Sequence, residues 1–163
     1  GAGVREAEGA ADGHATAESG VLLAVTVADC VPVSLLDPDA RAVALLHAGW
    51  RGTAAGILPH GIALLSQRWG TEPVDLLVHL GPAICGECYE VGPEVFEALG
   101  LEAPPDPAPV DVRFALARQA RAAGVPTESV SVSDVCTLCG DRNLFSHRAG
   151  RTERQVAVVG ILP

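Results

Sequence analysis

The chain contains no lysine and no methionine, and only 4% of its residues are aromatic. Without lysine there is no Schiff-base chemistry, no Walker-type phosphate loop and no lysine general base. Basic charge is also scarce: eleven Lys+Arg positions, all arginine, face twenty acidic residues, for a formal net charge of −9. No basic stripe exists to follow a phosphate backbone or an anionic membrane surface, so no nucleic acid and no membrane is expected as partner. Long apolar runs are missing as well; none reaches the roughly 20 residues that span a bilayer. The absent methionine leads us to expect an amino-terminally incomplete domain over residues 1–163. Five cysteines are an odd number, which fits a reducing, cytoplasmic setting better than a disulfide framework.

What is present is a chain of 163 residues, 48% hydrophobic, enough to bury one core. Residues 1–20 read as a loop, with at most a weak strand over 4–8. The run 21–28 predicts a strand buried on both faces. Strands are expected over 31–36 and 41–48, joined by a turn at 37–40, and again over 74–80, 129–135 and 154–162. Helical spacing predicts a helix capped by Thr53 and running to about Arg68, with a kink at Pro59. A short helix at 93–99 and a second at 111–123 are expected, separated by a proline-rich loop over 100–110. The inner side of 111–123 is read as Val112, Ala115, Leu116, Gln119 and Ala122 or Ala123. Strands and helices interleave, so the fold class is mixed α/β, or α+β, in a single domain of mixed sheets flanked by helices.

Cys30 and His47 stand at the ends of two expected buried strands, and a hairpin between them would bring both ends together. A thiol and an imidazole so placed hold a metal or form a nucleophile–base pair. Asp29, just beyond a buried strand, must be exposed or bonded and can orient or tune a neighbour. Gly49 and Gly52 allow close backbone approach, Arg51 offers a fork for phosphate or carboxylate, and Trp50 either stacks on a base or anchors the loop. Tyr89, the one tyrosine, comes directly after the glycine-rich segment 81–88. Arg148 is a further anion contact. His147 either borders a pocket or faces solvent, and His14, His60 and His79 carry no expected role. Cys85 and Cys88 form one CxxC and Cys136 and Cys139 another, a spacing known from structural zinc sites. The residues after the first pair are not a small polar knuckle, so we expect the four sulfurs not to converge and Cys88 to line the cleft.

The segments TVADCVPVSLLDP, ALLHAGWRGTAAGI, GPAICGECYEVGPEV and CTLCGDRNLFSHRAG resemble the bacterial laccase-domain family, also called the multicopper polyphenol oxidoreductase family. The resemblance implies a zinc held by a histidine of a QVHG-type segment, by Cys30 and by His47. No QVHG occurs here; residues 1–4 resemble the stretch directly after that histidine. It also implies purine nucleoside phosphorolysis and adenosine deamination, with a purine nucleoside and phosphate as substrates. The expected catalytic set is Cys30, His47, Arg51 and Asp29. The expected substrate contacts are Trp50, Gly49, Gly52, Cys88, Tyr89 and Arg148. Copper-dependent polyphenol oxidation is the alternative, although five histidines and no methionine supply a poor oxidase cluster. A non-catalytic protein-binding fragment is the reading of another class.

Overall fold

A computed structural model describes residues 11–140 and 143–163. The expected strand at 4–8 lies outside them. Three layers stack around strand β4 (Ala42–Ala48). A five-stranded sheet runs in the order β1 (Gly13–Thr16), β4, β3 (Val31–Asp37), β5 (Leu77–Leu80), β8 (Val130–Val132). All its pairs are antiparallel except β5 with β8. On one side lie helices α2 (Ile57–Trp69) and α4 (Val112–Ala122). On the other lies a two-stranded sheet of β2 (Leu22–Val27) and β9 (Gln155–Gly160). A small ribbon pairs β6 (Glu90–Val91) with β7 (Ala108–Pro109), flanking the short helix α3 (Pro93–Ala98).

The pleat of β4 explains its unbroken apolar sequence. Ala42, Ala44, Leu46 and Ala48 belong to the main core beneath the helices, while Val43 and Leu45 pack with Leu23 against the β2–β9 layer. A strand covered on both faces reads as a continuous hydrophobic run. β2 does not share this property. Its outer face is bare at Leu22, as are Val156 and Val158 of β9, so the expectation that 21–28 is buried on both faces is corrected to one.

The β3–β4 hairpin turns on a buried carboxylate. Asp37 accepts from the amides of Asp39 at 3.0 Å and Ala40 at 2.9 Å. Burial works to raise its pKa, but the neighbouring Thr71 hydroxyl and these amides prevail and hold it below the ordinary carboxylate value. A depressed folded-state pKa contributes stability that is complete above the unfolded value of about 4 and is lost as pH falls through the folded one. Asp37→Ala should therefore unfold more easily at pH 7 by about 1–3 kcal/mol, with the gap to wild type closing below pH 4. Urea titrations at the two pH values test this; a gap that does not depend on pH would refute the carboxylate's role.

Several expected boundaries shift for local reasons. β1 lies in what reads as a loop; GHAT has no apolar run, and its pairing is a backbone matter. The helix expected from Thr53 is two helices, α1 (Trp50–Ala54) and α2, broken where Gly56 takes φ 75°. Only glycine enters that region without strain. Gly49, not Thr53, is the cap of α1, and the Thr53 hydroxyl donates back to the Gly49 carbonyl at 2.9 Å. Pro59 falls in the first turn of α2, where its missing amide costs nothing. Part of the 100–110 loop pairs as β7. α4 buries Arg113, Ala117 and Ala120 beside Val112, Ala115 and Leu116, and Asp111 caps it.

Candidate active-site cavity and four-cysteine group

Register brings the hairpin ends together. Val31 pairs with Ala48 and Pro32 with His47, so Cys30, directly before β3, stands across from Gly49, directly after β4. The approach is close: a Cβ at Gly49 would lie 2.9 Å from the Cys30 sulfur. Any other residue there displaces that sulfur. His47 shares the β4 face of Val43 and Leu45 but sits at the strand end, where its ring is 35% exposed and its Nδ1 lies 3.6 Å from the Asp12 carboxylate. Cys30 and His47 border a cavity of about 410 Å³, with Asp12, Asp29, Gly49, Trp50, Arg51, Gly52, Tyr89, His147 and Arg148 also on its wall. That volume is within the ~300–1,000 Å³ usual for small-molecule sites.

The cationic side chains are fixed by rings. The Arg51 guanidinium lies 4.5 Å over the Trp50 ring, and that of Arg148 lies 5.5 Å from the centre of Tyr89. Arg148 also donates to the Glu90 carbonyl. Trp50 and Tyr89 in turn pack against both the main core and a satellite cluster containing Val95, Leu99, Val110 and Ala115. Both arginine heads are thereby held before any ligand arrives.

Asp29 is in the left-handed region, at φ 79°. Its carboxylate is fully engaged, accepting from Thr137 Oγ1 at 2.6 Å, Ser146 Oγ at 3.1 Å and the Arg148 amide at 2.7 Å. Its own carbonyl accepts from the Ile84 amide at 3.1 Å. Burial, then the charges of Asp29 and Asp12, push the Cys30 thiol above its ordinary pKa, so a metal binding there must displace the proton. Burial first, then any charge on Cys30, raises Tyr89, with Arg148 and Arg51 opposing; its hydroxyl keeps its proton and can donate.

The expectation that the cysteines do not converge is overturned. The sulfurs of Cys85, Cys88, Cys136 and Cys139 all lie within 4.8 Å of one another and are positioned to bind a metal ion, and Cys88 is absent from the cavity wall. Burial disfavours the Cys136 thiolate, but amides of Cys139, Cys85 and Leu138 outweigh it and bring the thiol down to about 6. Among the described residues this is the one group of three or more such ligands drawn together. Cys30 and His47 put a thiol and an imidazole, both zinc-ligand types, on one cavity wall, with the space beside the sulfur kept clear by Gly49. Asp12, Ile84, Val112 and the histidine His147 also border the cavity. Only His147 carried a sequence signal, alternating with Phe145.

The family model described as multi-copper polyphenol oxidoreductase laccase matches residues 2–162. The chain belongs to that family. It is 43% identical over 162 residues to the purine nucleoside phosphorylase YlmD of Geobacillus stearothermophilus, covering 91% of this chain and 59% of that protein. It is 36% identical over 157 residues to the adenosine deaminase RL5 of an unknown prokaryotic organism, covering 86% of this chain and 60% of that protein. The crystal structure of the G. stearothermophilus YlmD superposes with a TM-score of 0.88 at 40% identity, covering 93% of this chain and 61% of that one. The chain thus spans about three fifths of the length of these relatives.

Proposed function

We propose that the chain carries most of the active-site cleft of a purine nucleoside phosphorylase that also deaminates adenosine. The observation that carries this reading is the convergence of Cys30, His47, Arg51, Tyr89 and Arg148 on one cavity. The relatives named purine nucleoside phosphorylase and adenosine deaminase support it. A zinc held by Cys30, His47 and a further ligand would supply Lewis acidity at the cavity wall. In phosphorolysis a phosphate oxygen forms a bond to the ribose C1′ while the C1′–N9 bond breaks, and the purine leaves with the electron pair and takes a proton. Arg51 and Arg148 suit the phosphate, since their guanidinium groups are already stacked and lose little freedom on binding it. The Tyr89 hydroxyl, held protonated, serves as a donor to sugar or base. Asp29 positions Arg148 through its amide rather than carrying a proton, because its oxygens already accept three hydrogen bonds. Deamination takes water at the purine carbon bearing the amine and releases ammonia, needing no phosphate. The setting we propose is the reducing cytoplasm; no helix among the described residues is long and apolar enough to cross a membrane.

Incubating adenosine with the intact zinc-loaded protein, with and without phosphate, tests this reading. Adenine and ribose 1-phosphate are expected with phosphate, and inosine without it. Arg51→Ala should lower the phosphate-dependent rate by about 100-fold and leave inosine formation much less affected. Neither product, together with copper-dependent phenol oxidation, would replace the reading by the oxidase one.

A further inference from the structure

The four-cysteine group lies outside the cavity, yet each of its two loops builds a cavity wall. Cys88 is followed at once by Tyr89, and Cys85 is preceded by Ile84; both neighbours border the cavity. Cys136 is followed at once by Thr137, whose hydroxyl donates to Asp29 at 2.6 Å. The two loops touch through a parallel bridge of Ala83 with Cys136 and through the Thr137 amide, 3.1 Å from the Ala83 carbonyl. Besides these short backbone contacts and the sulfurs, both loops bond to Asp29, through the Ile84 amide and the Thr137 hydroxyl.

All four sulfurs lie within 4.8 Å of one another, and one pair has the separation expected around a tetrahedral zinc. Zinc–sulfur bonds of about 2.3 Å require sulfurs about 3.8 Å apart, and Cys85 and Cys139 are 3.8 Å apart. The surroundings supply what thiolate ligands need. Amides of Cys85, Leu138 and Cys139 point at the Cys136 sulfur at 3.2, 3.4 and 3.4 Å. The buried guanidinium of Arg113 is close enough for charge on Cys85 and Cys136 to act on it. Four protein ligands leave no open position for substrate, which marks a structural rather than a catalytic site. We propose that Cys85, Cys88, Cys136 and Cys139 hold a closed zinc clamp, separate from any metal at Cys30 and His47, that ties the Tyr89 wall of the cavity to the Thr137–Asp29 anchor. This takes the cavity assigned above as the thing being held, but its metal readouts need no nucleoside.

The test measures metal content in the intact protein, its Cys139→Ser and Cys30→Ser variants, and the cobalt-substituted forms. Cys139→Ser should lose the metal whose cobalt form shows the intense thiolate absorption of an all-sulfur tetrahedral site. Cys30→Ser should keep that absorption unchanged. The clamp itself is read from Trp50, made the sole tryptophan by Trp69→Phe. Stripping the all-sulfur metal should open Trp50 to acrylamide quenching. Should Cys139→Ser fail to fold, chelator titration of the otherwise unaltered Trp69→Phe protein gives the same two readouts. Unchanged all-sulfur absorption in a folded Cys139→Ser protein would overturn the site. So would disulfides among these cysteines in metal-free native protein. Metal loss with Trp50 quenching unchanged would overturn the clamp. A protein that lacks phosphorolysis but passes these tests would lose only the functional assignment.

Discussion

His47→Ala is expected to abolish phosphate-dependent cleavage of adenosine, with kcat/KM falling by more than about 100-fold. Residues that merely orient a metal ligand typically cost about 10–100-fold when removed; loss of a ligand itself should cost more. The effect is not expected to come from unfolding. The ring is 35% exposed at a strand end, so its removal opens little buried space, and the backbone bond from the His47 amide to the Asp12 carbonyl survives. Thermal melting close to wild type, retention of the all-sulfur metal and loss of turnover are the combined expected result. Turnover within tenfold of wild type would remove His47 from the ligand set.

Arg113→Ala should destabilise the fold by about 3 kcal/mol. Arg113 is the one buried basic side chain among the described residues, at 5% exposure. Its guanidinium binds both oxygens of Asp111, at 3.1 and 2.9 Å, and donates to the carbonyls of Ser133 at 2.8 Å and Val135 at 3.4 Å. Truncation takes the guanidinium away from a carboxylate and two carbonyls, though the Arg113 amide still donates to Asp111 at 2.9 Å. Asp111 is 32% exposed, so water can reach it, which places the cost at the lower end of the usual range for breaking a buried pair. Urea unfolding at pH 7 measures it; a loss under about 1 kcal/mol would mean that the network is dispensable.

Much of the fold is legible in the sequence where burial imposes a pattern. β3, β4 and β9 and the hairpin that brings Cys30 and His47 to one cavity arise from apolar runs and turn residues. The rest depends on partners distant along the chain. Arg113 on the inner face of α4 violates the apolar pattern because Asp111 and two carbonyls neutralise and satisfy it. The four sulfurs are visible as two CxxC pairs, but their convergence rests on Ala83 meeting Cys136, a contact no local pattern encodes. Tyr89, directly after Cys88, is unlike a zinc knuckle because it serves as a wall of the cavity.

The hydrogen bonds of Asp29 also fix an order in time. Its partners Thr137, Ser146 and Arg148 lie 108, 117 and 119 positions downstream. Ribosomes add roughly 5–20 residues per second, so a nascent chain carries an unbonded Asp29 beside Cys30 for on the order of 5–25 s. Until Arg148 has emerged, the thiol lies beside a carboxylate that lacks one or more of these three donors, in a cavity without its His147–Arg148 wall. The cavity wall beside Cys30 is therefore complete only once synthesis has passed Arg148.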